Sequence, residues 1–310
     1  MNEVRYTEIS AEEEGQRVDN YLLRLLKGVP KSHIYRLIRN GEVRVNKKRV
    51  KASSRLMKGD AVRIPPVRVS HKKDLFVGTK LSQCLEKSII FEDAQLLIVN
   101  KPAGLAVHGG SGLSLGVIEV LRKTRSDLSY LELVHRLDKE TSGCLLLAKK
   151  RSVLRAIQAL LAAREVQKIY WALLMHPWQG KKMVRVDAAL EKNILKSGER
   201  MVTVSDEGKS SQTEFKLLEN FPAACFVEVY PKTGRTHQIR VHSAYLGHPI
   251  VGDQKYGEVI SIADLEREKL RLHLHARAIQ FTLNGKPYFF QADLDEKFTQ
   301  TLAKLRLGSK

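Results

Sequence analysis

Two rhythms of apolar and polar positions run along this chain. Near the start, Val18, Tyr21, Leu22, Leu25 and Leu26 recur at helical spacing, and Pro30 ends that helix. Ser32 is placed to cap a second helix with Ile34, Leu37 and Ile38 on one face, and Gly41 closes it. Val43 and Val45 then alternate as a strand, Asn46-Lys47-Lys48 turns, and Val50 begins the return. Gly59-Asp60 turns again before a strand over Ala61-Val62-Arg63-Ile64, and Pro65-Pro66 stops this small unit, residues 16–64. Residues 65–87 show no clear period, are basic from Val67 to Lys73, and read as a linker long enough to let the small unit move.

From Ser88 the pattern changes. Ile89-Ile90-Phe91 and Leu96-Leu97-Ile98-Val99 flank Glu92-Asp93 as a hairpin, and Lys101-Pro102-Ala103-Gly104 turns the chain. His108 to Gly112 is a glycine loop that fits either a plain flexible connection or a backbone close to a phosphate. Leu115–Lys123 reads as a helix with Val117, Val120 and Leu121 inward. A strand over Leu145–Ala148, a helix over Ser152–Ala163 and a strand over Ile169–Met175 follow. Shorter strands are predicted at Val184–Val186, Met201–Val204, Thr213–Leu217 and Cys225–Tyr230. A loop from Thr233 passes into a helix toward Leu246, strands at Leu272–Phe281 and Pro287–Gln291 close the sheet, and Leu294–Leu305 forms a last helix. Strands dominate without regular βα alternation, so the expected class is α+β with a mainly antiparallel mixed sheet. The expected division is a binding module with its basic linker over 16–80 and a larger domain over 85–305.

Charge sharpens this outline. The chain of 310 residues holds 53 Lys and Arg against 34 Asp and Glu, a net charge of +19. Of that excess, +11 falls within residues 16–64, which carry 14 basic and 3 acidic residues. A helix pair plus hairpin bearing most of the excess reads as a docking face for phosphates, with Lys31, Arg36, Arg39, Arg44, Lys47, Lys48 and Arg49 the candidate contacts. No apolar run approaches membrane-spanning length, and the acidic start over Met1–Gly15 is neither a signal nor a transit peptide. The expectation is a cytoplasmic protein without a membrane partner. Cys84, Cys144 and Cys225 lie far apart and show no zinc spacing. Histidines 237, 242, 248, 273 and 275 lack clustered carboxylate or thiolate partners, so no metal site is expected.

The candidate chemistry lies in His135-Arg136-Leu137-Asp138-Lys139-Glu140-Thr141-Ser142-Gly143, a polar turn between the apolar runs Leu131–Val134 and Cys144–Ala148. Buried strands on both sides would hold such a turn rigidly. Gly143 permits a tight path, and Thr141 and Ser142 are expected to hydrogen-bond local backbone groups, which leaves Asp138 displayed. An Asp in a loop ordinarily caps a turn, so other features must lift it above that reading. The intervening leucine and the missing glycine-rich and Asp-Phe-Gly segments exclude a kinase loop. His108-Gly109-Gly110 has no Gly-x-Ser-x-Gly elbow to make it a hydrolase oxyanion loop. What remains is Asp138 together with the basic segment Arg235–Arg240, in which a nearby arginine would pair with the carboxylate and leave it able to act as a nucleophile. Tyr170, at the head of a strand, fits either stacking on a base or facing the core.

His135-Arg136-Leu137-Asp138 followed by Thr141-Ser142-Gly143 resembles the catalytic motif of the RluA family of pseudouridine synthases. Lys168-Ile169-Tyr170-Trp171-Ala172-Leu173 is similar to that family's tyrosine segment, and Gly234-Arg235-Thr236-His237-Gln238-Ile239-Arg240-Val241-His242 to its later motif. The small basic unit, with its Gly41–Asn46 hairpin, resembles an S4 RNA-binding domain. The resemblance implies an RNA pseudouridine synthase acting, as a monomer and without metal or organic cofactor, on large-subunit (23S) ribosomal RNA. It implies Asp138 as nucleophile, Tyr170 as the residue that stacks on the target base and assists proton removal, Arg240 as the salt-bridge partner of Asp138, and Arg136 as the side chain that holds the target nucleotide extruded. Attack on the sugar, attack on the base and sugar deprotonation all stay open for Asp138. The alternatives are a non-catalytic S4-type RNA-binding protein in ribosome assembly, and the same chemistry on transfer RNA.

Overall fold

The computed structural model describes residues 3–26, 28–67, 77–109, 115–194, 200–257 and 270–308. Most of the basic run expected as linker, residues 68–73, and the glycine positions 110–112 lie outside the described residues. The chain forms two compact units, residues 1–76 with 150–152 and residues 77–149 with 153–310.

In the first unit the helical period of the sequence becomes α1 (Val18–Leu25) and α2 (Lys31–Arg39), preceded by β1 (Arg5–Glu8) and followed by β2 (Arg44–Val45), β3 (Lys48–Arg49) and β4 (Ala61–Ile64). The strands form one antiparallel sheet in the order β1-β4-β2-β3. Asn46 and Lys47, at φ 49° and 67°, make the left-handed two-residue turn that a right-twisted hairpin needs. Tyr21, Leu22, Ile34, Leu37, Val43 and Val62 bury the helix faces against the sheet. One expectation is corrected here, and one strand is added. Pro30, not Ser32, occupies the N-cap of α2, because its fixed φ suits the position and Lys31 begins the helix. The exposed strand β1 has no apolar alternation to announce it.

The second unit begins with α3 (Thr79–Lys87), where the sequence read as linker. Its apolar signal is short, but Leu85 is fully buried in the core with Val77 and Leu81 packed beside it. Next come β5 (Ile89–Glu92), β6 (Leu96–Lys101), α4 (Val117–Thr124), β7 (Glu132–Leu133), β8 (Ser142–Ala148), α5 (Arg151–Ala163) and β9 (Gln167–Met175). The chain continues through β10 (Met183–Asp187), the hairpin β11 (Leu190–Ile194) and β12 (Arg200–Val204), then β13 (Gln212–Asn220), β14 (Ala224–Pro231) and α6 (Gln238–Tyr245). It closes with β15 (Leu274–Leu283), β16 (Lys286–Gln291) and α7 (Glu296–Leu307), which Asp295 caps by accepting the Phe298 N–H at 3.0 Å.

Ten strands make one sheet, in the order β10-β13-β14-β9-β15-β8-β6-β5, with β16 on β15 and β7 on β8. Every pairing is antiparallel except β8 with β15, which run parallel where Ser142 faces His275 and Gly143 faces Ala276. β8 is buried along its whole length, and Leu97, Val99, Leu145 and Leu147 anchor the core there with Val120 and Ile157 from α4 and α5. The run Leu131–Val134 contributes only the two-residue β7, yet Leu131 and Val134 are both buried. The α+β class with a mainly antiparallel mixed sheet is what the sequence predicts.

Candidate active site

The loop carrying Asp138 connects β7 to β8, and it is fastened from several sides. His135 accepts the Leu146 N–H on Nε2 at 3.1 Å, which ties the start of the loop to β8. Burial first, then the Lys168 charge, holds the His135 imidazole down to about 4, so the ring stays the neutral acceptor that this bond requires. Lys101, fully buried at the end of β6, donates to the carbonyls of Pro102, Leu105 and Lys139 at 2.8, 2.8 and 2.9 Å. Gly104 N–H donates to the same Lys139 carbonyl at 3.0 Å, one residue past Asp138. The Thr141 N–H closes the turn on the Asp138 carbonyl at 3.2 Å.

The expectation that Ser142 bonds local backbone is corrected, because Ser142 already begins β8. His275 Nε2 donates to the Ala292 carbonyl at 3.0 Å, so its Nδ1 accepts from the Ser142 hydroxyl at 2.8 Å. Arg271 donates to the same hydroxyl at 3.2 Å. Gly143 sits at φ 107° with the Ala276 carbonyl oxygen 2.3 Å from where a Cβ would stand. Only glycine lets β8 and β15 approach there.

Asp138 is then presented to a cavity of about 560 Å³. Tyr170 from β9, Arg240 from α6 and Arg136 from the loop line the same cavity. The sequence motifs, more than a hundred residues apart at their ends, therefore converge. Arg240 Nη1 lies 3.5 Å from Asp138 Oδ2. Its stronger partner is Asp253, which it grips with Nε at 2.8 Å and Nη2 at 2.7 Å. Asp253 is buried and also accepts the N–H groups of Lys255 and Tyr256 at 2.9 and 3.2 Å. Burial pushes the Asp253 carboxyl up, but the Arg240 guanidinium and the two backbone N–H groups together outweigh it and hold the group below its ordinary value. The Arg240 guanidinium also lies over the Tyr256 ring, 5.0 Å from its centroid. Burial, then the charge of Asp138, raises the Tyr170 phenol, which stays protonated at neutral pH.

The cavity lining holds six Lys and Arg side chains and one carboxylate, Asp138. Arg136, Arg164 and Lys168 have no carboxylate partner among the described residues, and burial lowers the Lys168 ammonium. Such a cleft concentrates a positive field on a single acid and favours a polyanionic ligand. The other basic candidates are in the first unit. Lys31, Arg36, Arg39, Arg44, Lys47, Lys48 and Arg49 are all exposed there, with no ion pair among the described residues.

Gln238 secures the loop over 233–237 by accepting from the Thr233 hydroxyl at 2.7 Å and the Arg235 N–H at 2.9 Å, and by donating to the Gln212 carbonyl at 2.9 Å. Asp253, Tyr256 and Lys101 were not singled out from the sequence. The only signal at Asp253 is a Gly-Asp pair after Pro249-Ile250-Val251, which reads as an ordinary turn. The histidines at 242, 273 and 275 spend their ring nitrogens on hydroxyls and carbonyls of the fold.

The sequence model of the family described as RNA pseudouridylate synthase matches residues 95–245, and that of the S4 domain matches residues 16–62. The chain is 52% identical to the ribosomal large subunit pseudouridine synthase C of Haemophilus influenzae, over 98% of this chain and 95% of that protein. It is 50% identical to the protein of the same name from Escherichia coli K12, over 98% of this chain and 97% of that protein. Among solved structures it is similar to human RNA pseudouridylate synthase domain containing 4, with a TM-score of 0.62 and 29% identity, covering 73% of this chain and 96% of that one. Human RNA pseudouridylate synthase domain containing 1 gives a TM-score of 0.56 and 26% identity, covering 71% and 94%.

Proposed function

The chain belongs to the RNA pseudouridylate synthase family, and from that membership we propose that it converts specific uridines of large-subunit ribosomal RNA to pseudouridine in the cytoplasm. The observation that carries the reading is one carboxylate, Asp138, held in a cavity whose other charged walls are cations. The reaction breaks the bond from N1 of the base to the sugar, turns the base and joins C5 to the sugar. C5 loses a proton and N1 gains one. Every atom is conserved and no electrons are taken up from outside, so the chemistry calls for no cofactor. Asp138 begins it, as nucleophile toward sugar or base or as acceptor of a sugar proton. Arg240 keeps positive charge beside that carboxylate.

Tyr170 supplies the surface on which the target base stacks. Because its phenol is protonated in the resting site, Tyr170 assists removal of the C5 proton only by giving up its own proton as it accepts that one. Arg136, exposed at the cavity rim and free of ion pairs among the described residues, holds the target nucleotide out of its helix. Extrusion is required because the reacting atoms are inaccessible inside a stacked duplex. The basic module grips phosphates while the larger unit performs the reaction. The match of residues 16–62 to the S4 domain and the seven exposed cations support that division. Among the described residues no helix is long and apolar enough to cross a membrane.

Pseudouridine maps of ribosomal and transfer RNA from cells with and without this protein test the proposal. Loss at discrete large-subunit positions is the expected result. A change confined to transfer RNA overturns the substrate, and unchanged maps overturn the activity. In the purified protein, Asp138→Asn preserves shape and removes charge, so it is expected to bind RNA and yield no detectable product. Retention of about a tenth of wild-type turnover or more would exclude Asp138 as nucleophile.

A further inference from the structure

The two oxygens of Asp138 are not equivalent. Arg240 Nη1 at 3.5 Å and His237 Nε2 at 3.8 Å both make their closest approach at Oδ2. A chain of hydrogen bonds stands behind His237. The Val202 N–H of β12 donates to the Tyr256 hydroxyl oxygen at 3.1 Å. With that acceptor site filled, the Tyr256 O–H is free to donate to His237 Nδ1, 2.7 Å away. A neutral imidazole that accepts on Nδ1 carries its proton on Nε2, the nitrogen that faces Asp138. Burial favours the neutral ring, with Arg240 and Lys255 reinforcing it against Asp138 and Asp253. His237 also sits at φ 53°, ψ 19°, a left-handed conformation that a residue with a side chain adopts at a cost. The fold accepts that cost at the residue whose imidazole stands between the Tyr256 hydroxyl and Asp138.

We propose that His237 is a positioning residue whose Nε2–H, fixed in place by Tyr256, holds Oδ2 of Asp138 so that Oδ1 is turned to the target nucleotide. The inference rests on the reading of Asp138 as the reacting carboxylate. At 3.8 Å the His237 contact is longer than a hydrogen bond, and it closes when bound RNA excludes water from the cavity.

The test uses the full-length protein on a large-subunit RNA stem-loop, with kcat and KM measured separately and the thermal midpoint as a control. Tyr256→Phe keeps the ring under Arg240 and removes only the hydroxyl. It is expected to lower kcat about tenfold with KM unchanged, because the imidazole is then free to place its proton on the wrong nitrogen. His237→Leu removes the donor and is expected to lower kcat at least as far. His237→Gln keeps an N–H near the Nε2 position and is expected to stay within about threefold of wild type. An amide has no tautomer to set, so adding Tyr256→Phe to His237→Gln is expected to cost nothing further. A role for Tyr256 in packing alone would instead give additive losses, and additivity overturns the proposal. So does a kcat within about twofold of wild type for both Tyr256→Phe and His237→Leu. Should His237→Leu fail to fold, Tyr256→Phe and the double variant decide between these outcomes. A wild-type protein without turnover overturns the function proposed above and this inference together. An active wild type with unaffected variants overturns this inference alone.

Discussion

Arg240 serves two carboxylates unequally. It is hydrogen-bonded at two points to Asp253, whose side chain is 1% exposed, and approaches Asp138 at 3.5 Å. Replacing it with Met therefore does more than withdraw charge from the cavity around Asp138. It strands a buried carboxylate, which costs about 3–5 kcal/mol and lowers the thermal midpoint by an amount on the order of 10 °C. The pH dependence separates this from a general packing defect. With Arg240 present the folded Asp253 lies below its ordinary value, so the stability it lends is fully present above the unfolded value and is lost only as pH falls through the folded one. With Arg240 gone, burial, the largest influence on the group, is opposed only by the N–H groups of Lys255 and Tyr256 and raises it, so folding then favours the protonated acid and stability declines as pH rises through the raised value. Arg240→Met is expected to be least stable near pH 7 and to recover part of its midpoint toward pH 5, while wild type shows no such recovery. Thermal melts across that range check it, and a deficit independent of pH would mean that Asp253 finds another partner. Asp138, Tyr170, Arg240 and Arg136 were legible in the sequence because each stands in a short local motif. Asp253 and Lys101 were not, because each acts across a distance in sequence, Lys101 on the carbonyl of Lys139 and Asp253 on Arg240. A sequence names the residues of a motif more readily than the groups that hold them.

The parallel pair of β8 and β15 is the joint on which the Asp138 loop depends. β8 begins within four residues of Asp138, and at Gly143 its backbone passes so close to Ala276 that a Cβ would meet backbone O, C and N at 2.3, 2.7 and 2.7 Å. Backbone atoms inside a ten-stranded sheet have nowhere to move. The left-handed φ of 107° adds a second penalty for any residue with a side chain. Gly143→Ala is expected to cost about 3 kcal/mol or more and to lower kcat beyond what the lost stability explains, since separating the strands displaces the loop. The measurements are the thermal midpoint and turnover at a temperature where the variant is fully folded. A midpoint within about 2 °C of wild type would mean that the strands separate without strain. Elements with a strong period, such as α1, α4, α5 and β6, were predicted within a few residues of their ends. Those that escaped share a physical reason. β1 is exposed except at the half-buried Thr7, and α3 buries a single residue fully, so neither leaves a periodic apolar stripe in the sequence. The parallel register of β8 on β15 is fixed by contacts more than a hundred residues apart, which no local pattern encodes.

At the scale of the whole molecule, charge and chemistry occupy different units. Residues 16–64 carry +11 of the net +19, and Lys31, Arg36, Arg39, Arg44, Lys47, Lys48 and Arg49 stand exposed without ion pairs among the described residues. The larger unit contains the whole cavity and its own buried core. A protein retaining only residues 77–310 is therefore expected to fold, provided that the cut precedes α3, because a start within that helix would remove Leu81 or unseat the buried Leu85. Each phosphate contact releases a counterion and steepens the fall of log affinity with log salt by about 0.7 to 0.9. If several of the seven cations touch the RNA backbone together, losing them flattens that slope by several times this amount. The shortened protein is accordingly expected to bind ribosomal RNA more weakly, with a distinctly shallower salt dependence, and to convert uridine still when RNA is supplied far above the weakened Kd. Affinity at several salt concentrations for both proteins, with turnover at saturating RNA, decides the matter. Equal slopes would show that the module makes no phosphate contacts. A folded but inactive shortened protein would show instead that the module takes part in presenting the target nucleotide to Asp138, so that binding and chemistry are a single property of the full chain.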